Sequence, residues 1–251
     1  MDRLLYTAMS GASGTMSRQA AVAHNLANVT TQGYRAEEHR LRAVQVQTHN
    51  NNPAALPTRA FAVDASTHTD FSSGALMHTG SQYDVALRGK GWLTLALPDG
   101  TEAYTRAGSF QVSENGILQT PAGIPVMGDG GPITIPPDSR ITIGEDGTVS
   151  TINESGAQNV VNAIGRLKLV NPPEADIVRG PDGLFRLNTG EPAPQDDLVR
   201  VAGGFLENSN VNPVEQMVSM ISLARQFEMQ MRMITTAETN DRAATQVLAS
   251  R

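Results

Sequence analysis

From Pro213 to Ser250, apolar residues recur at steps of three and four, at Val214, Met217, Ile221 and Ala224 and then at Met231 and Ile234. An average step of about 3.5 predicts an amphipathic helix with a narrow coiled-coil seam rather than the broad stripe of an ordinary core helix. Asn212 offers a side-chain oxygen as N-cap, Pro213 suits the first helical position, and Glu215 can close a capping box. No Gly or Pro interrupts the run after Pro213. At about 1.5 Å per residue such a helix spans roughly 57 Å, longer than a small domain is wide, so most of it needs partners outside one globule. The N-terminal stretch mirrors it: Leu5, Met9, Ala12, Met16, Ala23 and Leu26 share one heptad-like seam, with Gln19 at the position between Met16 and Ala23. Gly11, Ala12, Ser13 and Gly14 are small enough for a second helix to approach closely, at a cost of about 1 kcal/mol for each Gly against Ala. This helix should end near Asn28, before the β-branched Val29-Thr30-Thr31 and a Gly33 that can take positive φ. Two seamed helices predict a pair; the alternative is an ordinary helical hairpin packed on the middle of the chain.

The middle is different in kind. Tyr34 to Gln82 has short apolar runs broken by Asn50-Asn51-Asn52-Pro53, Pro57 and Ser72-Ser73-Gly74, which predicts extended chain, partly strands, bridging the helices to the centre of the chain. From Tyr83 the pattern becomes strand, turn, strand. Trp92 to Leu97 runs into Pro98-Asp99-Gly100 and returns through Ala103-Tyr104-Thr105, and the grammar repeats at Asn115-Gly116, Asp146-Gly147 and Asp182-Gly183. Turns this dense between strands this short predict an antiparallel domain, and no helical pattern intervenes to build a parallel sheet. The expected fold is α+β: paired N- and C-terminal coiled-coil helices, an extended linker region and a central antiparallel all-β domain. Its parts are a first helix over 1–28, a connecting segment over 29–82, the β domain over 83–201, and a connection plus second helix over 202–251.

Composition narrows the function classes. Of the 251 residues 4% are aromatic, too few for large aromatic platforms, and a formal charge of -6 argues against a polyanionic partner. The terminal segments are close to neutral, so the acidic excess sits in the middle, the distribution expected of a self-assembling protein with adhesive ends and a repulsive body. Cysteine is absent, which removes disulfides and thiolate metal sites. No secretory leader pattern and no run of about 18 apolar residues is present, features that by themselves point to the cytoplasm.

Candidate chemistry is thin. Gly89-Lys90-Gly91 opens like a dinucleotide loop, but Thr94 stands where the third Gly belongs and a strand comes next. Gly11-Ala12-Ser13-Gly14 misses the nucleophile-elbow pattern at Thr15 and lies within a helix. His24, His39, His49, His68 and His78 are scattered without ligand spacing, and the Asp-Gly pairs lack the alternating oxygens of a calcium loop. Glu37-Glu38 and Asp196-Asp197 are adjacent rather than facing. Met217, Met220, Met229, Met231 and Met233 could line a peptide groove, although a core seam is the stronger reading. The expectation is a non-enzyme without cofactor or metal, nucleic-acid, small-molecule or membrane-inserted partner.

His24-Asn25-Leu26-Ala27-Asn28-Val29-Thr30-Thr31-Gln32-Gly33-Tyr34-Arg35 resembles the N-terminal signature of the bacterial flagellar rod and hook proteins, with His24 and Tyr34 as conservative departures. Two further blocks agree: Tyr83 to Leu87 through Gly91-Trp92 and Tyr104 to Phe110, and Gly204-Phe205-Leu206-Glu207-Asn208-Ser209-Asn210-Val211-Asn212 leading into the last helix. The resemblance covers nearly the whole chain. It implies a helically stacked axial subunit of the basal-body rod that transmits torque, surrounded by copies of itself and other axial rod proteins. It also implies passage through the flagellar type III export apparatus without a cleaved leader, which replaces the cytoplasmic reading with the periplasmic rod. Length and the opening Met1 to Ala12 look most like a proximal-rod member, with a distal-rod member as runner-up. The assembly interface would then comprise Leu5, Met9, Ala12, Met16, Ala23, Leu26 and Asn28 with Met217, Ile221, Ala224, Met231 and Ile234. A β-rich binding module on a helical stalk is the competing class.

Overall fold

The computed structural model describes residues 2–45, 60–137, 139–153 and 161–249. The chain divides into two compact units, one of residues 1–29, 35–70 and 211–251 and one of residues 30–34 and 71–210.

The first unit contains α1 (Asp2–Ala27), β1 (Glu37–Gln45), β2 (Ala60–Thr69) and α2 (Pro213–Ala249). Asn212 caps α2 as expected, its Oδ1 accepting the Val214 N–H at 3.1 Å and the Glu215 N–H at 3.4 Å. Asn28 closes α1, donating from Nδ2 to the His24 carbonyl at 2.9 Å. The helices pack side by side and antiparallel: Thr15 meets Gln230, while Asn25, further along α1, meets Gln216, earlier on α2. The connecting segment is more ordered than its sequence suggests. β1 and β2 form an antiparallel hairpin with a register shift between Arg40 and Leu41. A lone two-stranded hairpin is marginal in water; this one lies against α1. Gly14 makes room for it, since a Cβ there would come within 2.9 Å of the Leu41 side chain. Gly14 thus admits a strand residue, whereas Gly11 faces Gln230 of the second helix. The Asn50–Pro53 run and Pro57 lie outside the described residues.

The second unit runs through β3 (Leu76–His78), β4 (Val85–Arg88), β5 (Trp92–Ala96), β6 (Glu102–Thr105), β7 (Gln111–Val112), β8 (Leu118–Gln119), β9 (Met127–Gly128) and β10 (Gly131–Pro132). It continues with β11 (Ser139–Ile143), β12 (Thr148–Asn153), β13 (Val161–Arg166), β14 (Leu169–Val170), β15 (Ile177–Arg179), β16 (Phe185–Leu187), β17 (Arg200–Gly203) and β18 (Phe205–Glu207). The largest sheet has the order β14-β5-β6-β16-β15 and a second has the order β11-β12-β13; all their pairings are antiparallel. The core includes Val85, Leu93, Leu95, Leu118, Val126, Val149, Leu167 and Val201, and a smaller cluster joins Trp92, Tyr104, Val170 and Phe185. The Asp-Gly turns form at the expected places: Gly100, Gly147 and Gly183 all have positive φ. In each, the preceding Asp accepts the backbone N–H two residues on, at Thr101, Thr148 and Leu184.

These units differ from the boundaries expected from the sequence. β3 pairs with β18 and β4 with β17, so residues 71–82 and 202–210 belong with the β strands rather than with the connections. Residues 35–70 belong with the helices. Pairing between strands more than a hundred residues apart leaves no mark in local periodicity.

Candidate assembly interface

Within the chain, the helix pair buries a seam that overlaps the expected one in part. On α1 the buried residues are Ala8, Ala12, Gly14, Thr15 and Asn25; Leu5, Gln19 and Leu26 are half-buried. Of the candidates, Ala12, Leu5 and Leu26 therefore share the intramolecular seam, while Met9, Met16 and Ala23 are exposed. Asn28 is half-buried and spent on its cap. On α2, Gln216, Met220, Leu223, Phe227, Gln230, Ile234 and Ala237 alternate steps of four and three; Leu223 is buried and the others are half-buried. Ile234 belongs to this seam and Ala224 flanks it, whereas Met217, Ile221 and Met231 are exposed. The core-seam reading of the methionines is corrected accordingly. Met220 turns inward, but Met217, Met229, Met231 and Met233 stand in solvent. Counting apolar residues alone misses the true frame because two of its positions are glutamines. Each glutamine has a polar partner across the seam: the Thr15 hydroxyl is shared between the Gly11 carbonyl at 2.9 Å and Gln230 Oε1 at 3.1 Å, and Asn25 Nδ2 lies 3.5 Å from Gln216 Oε1.

This packing leaves a second stripe open. Val214, Met217, Val218 and Ile221 are 68%, 52%, 62% and 56% exposed and lie roughly 150° round α2 from the seam at 3.6 residues per turn. Tyr6, Met9 and Met16 make a similar exposed row on α1. Scattered exposed apolar residues are ordinary, whereas these are large, adjacent and on successive turns.

The motif blocks of the sequence have structural reasons. Asn25 holds the first residue of β1, and Asn28 ends α1. Gly33 has φ +65°, and a Cβ there would stand 2.4 Å from the Ala107 nitrogen. Gly108 packs against Val85, whose carbonyl oxygen would lie 1.7 Å from an added Cβ. Arg106 and Glu207 form a buried ion pair at 3.0 Å. In the smaller core cluster, the Tyr104 hydroxyl accepts the Ala193 N–H at 2.8 Å and donates to Glu102, which also pairs with Lys168. Burial pushes the Tyr104 phenol up to about 12, opposed by the Ala193 N–H and reinforced by Glu102. The turn carboxyls of Asp99 and Asp146 are held below the usual range, chiefly by the hydroxyls of Thr101 and Thr148. Asp182 is held low chiefly by Arg186. These carboxylates are already engaged by the turns and an arginine. Among the described residues no group of three or more His, Asp or Glu is placed to hold a metal ion, and no helix is long and apolar enough to cross a membrane.

A helix from each end of the chain, paired over a polar-studded seam and carrying open apolar stripes, in a chain that also folds an antiparallel β unit, defines a structural subunit that assembles. The family comparisons agree with that class. Residues 5–35 match the family described as flagella basal body rod protein, residues 86–151 the flagellar hook protein FlgE/F/G D1 domain, and residues 202–247 the flagellar basal body rod FlgEFG protein C-terminal family. The chain is 44% identical over 255 residues to the flagellar basal-body rod protein FlgF of Salmonella typhimurium, and 43% identical over 255 residues to that of Escherichia coli K12, covering 99% of each chain. It is 31% identical over 252 residues to the flagellar basal-body rod protein FlgG of Buchnera aphidicola, covering 93% of this chain and 95% of that one. The chain belongs to the flagellar basal-body rod family; it is a structural protein of the rod and assembles with other axial rod proteins.

Proposed function

We infer that the chain is a subunit of the proximal rod, stacked helically through the open faces of α1 and α2, and that it passes torque along the axis. The observation that carries this reading is the exposed stripe of Val214, Met217, Val218 and Ile221, which the intramolecular helix pair leaves uncovered. Met9, Met16, Ala23, Met217, Ile221 and Met231 would contact neighbouring subunits. Leu5, Ala12, Leu26, Ala224 and Ile234 would support that surface from the seam, and Asn28 would end the inner helix. The neighbours would be further copies and other axial rod proteins. The chain would reach the periplasmic stretch of the rod through the flagellar type III export apparatus rather than by a cleaved leader. Its role is structural, without catalysis, cofactor, nucleic acid, small-molecule substrate or membrane insertion. Identities of 44% and 43% along nearly the whole chain to the FlgF proteins of Salmonella typhimurium and Escherichia coli support the proximal rod. Pairing of both terminal helices within one chain favours an axial subunit over a binding module, whose stalk would be several copies of one helix.

The cysteine-free sequence makes the test clean. Single cysteines replacing Met217 or Ile221 should react with a maleimide in the isolated chain and be protected in purified basal bodies. Equal labelling in both would overturn the assembly surface.

A further inference from the structure

We propose that the Arg106–Glu207 ion pair is a latch that gathers, at one buried point of the β unit, the stretches by which the chain enters and leaves that unit. The chain enters or leaves it at 29/30, 34/35, 70/71 and 210/211. Gly33 lies in the first stretch, Gly74 just after the third crossing and Glu207 just before the last. All three meet at the pair, whose side chains are 4% and 0% exposed.

The polar groups of the pair reach several segments of the chain. Glu207 Oε2 faces Arg106 Nη1 at 3.0 Å, while Oε1 accepts the Gly74 N–H at 2.9 Å. The Glu207 backbone carbonyl accepts the Gly33 N–H at 2.8 Å. Arg106 Nη2 donates to the Gly89 carbonyl at 2.7 Å, and its guanidinium lies 5.5 Å from the Trp92 ring centre. The backbones approach too closely for side chains: a Cβ on Gly74 would sit 1.9 Å from the Asn208 carbonyl oxygen, and one on Gly33 2.4 Å from Ala107 N. Asn210 ties the flanks, its N–H donating to the Tyr34 carbonyl at 3.3 Å and its Nδ2 to the Ser72 carbonyl at 3.1 Å.

A fully buried ion pair is a poor source of net stability, because desolvation offsets the attraction; an apolar replacement of both partners is often tolerated, whereas removal of one strands the other. What this pair supplies is position. It requires Gly74 and the strand carrying Glu207 to return to Arg106 together, and that strand in turn holds Gly33. The hydrophobic clusters of the unit are built from other residues, with Trp92 of the smaller one against Arg106, so most of the core stands apart from the latch.

The experiment is amide exchange by NMR with a thermal melt on the full chain carrying Arg106→Met and Glu207→Met together. The β unit should stay folded, the Gly33 and Gly74 amides should exchange at least tenfold faster, and the Leu93 and Val149 amides should keep their protection. Glu207→Gln, which preserves shape but weakens the charge-assisted bonds, gives a second reading and should speed the same two glycines. Unchanged exchange at Gly33 and Gly74 in either variant overturns the latch. So does loss of the fold, or equal acceleration at Leu93 and Val149, either of which would make the pair a stabiliser of the whole unit.

Discussion

Asn25 treats Glu37 as a strand neighbour. Its Nδ2 donates to the Glu37 carbonyl at 2.8 Å and its Oδ1 accepts the Glu37 N–H at 2.9 Å, so an amide side chain on a helix takes the place of a backbone at the start of β1. Asn25 is buried, and water cannot easily replace it. Asn25→Ala should therefore cost about 1–3 kcal/mol by leaving a backbone donor and acceptor without their partner. Asn25→Asp should be no milder, since a carboxylate cannot donate to the Glu37 carbonyl. Helical circular dichroism through a thermal melt, with Glu37 amide exchange, would register both losses.

Gly33 and Gly100 separate backbone strain from packing. Both have positive φ, +65° and +83°, but an added Cβ at Gly100 meets nothing within 4 Å, whereas at Gly33 it strikes the Arg106–Ala107 backbone. Gly100→Ala should cost about 1–2 kcal/mol from the left-handed conformation alone. Gly33→Ala adds a clash that rigid backbone cannot relieve and should exceed about 3 kcal/mol. Paired denaturant melts would show equal losses if packing at Gly33 did not matter.

Tyr104 sets an alkaline limit. Its folded-state value, about 12, lies above the ordinary 10, so the folded chain holds this proton more tightly than the unfolded one. The stabilisation is complete below pH 10 and is lost as pH rises from there through about 12. Melting temperature should fall across that window. Tyr104→Phe should be less stable at neutral pH, having lost the acceptor for the Ala193 N–H, but should show a shallower fall above pH 10.

Ile221 and Ile234 should behave differently on the same helix. Ile221 is 56% exposed, so Ile221→Asp should change the isolated chain by no more than about 0.5 kcal/mol. In an assembled rod it would forfeit roughly 1.5–3 kcal/mol of burial per subunit and add the cost of desolvating a carboxylate. Incorporation into basal bodies and swimming should be lost. Gln226→Asp, on an exposed face away from the stripe, should leave both intact. Ile234→Asp falls on the intramolecular seam and should loosen the helix pair itself, visible as a lower helical melt before any assembly is attempted.

The β unit should be sensitive to its boundaries. A fragment of residues 71–210 retains the β3–β18 pairing and the Arg106–Glu207 pair, whereas one of residues 83–201 loses both. The longer fragment should melt cooperatively and the shorter one should be less stable or insoluble, as differential scanning calorimetry would show.

Much of this fold is written locally. Asn212-Pro213 starts a helix because a capping oxygen and a residue without an N–H suit that position in any context. The Asp-Gly turns form where the sequence places them because glycine takes positive φ without help from distant residues. The signature blocks point to the flagellar family from their residues alone, in agreement with the family comparisons. Tertiary structure decided what periodicity could not. The helix seam runs through Gln216 and Gln230, whose polarity hides it from an apolar count and whose partners lie some two hundred residues away. β1, with little beyond Leu41 to mark an inward face, becomes a strand because β2 and α1 supply its partners. Arg106 and Glu207 stand in two signature blocks about a hundred residues apart; only the return of distant segments places them together and out of water.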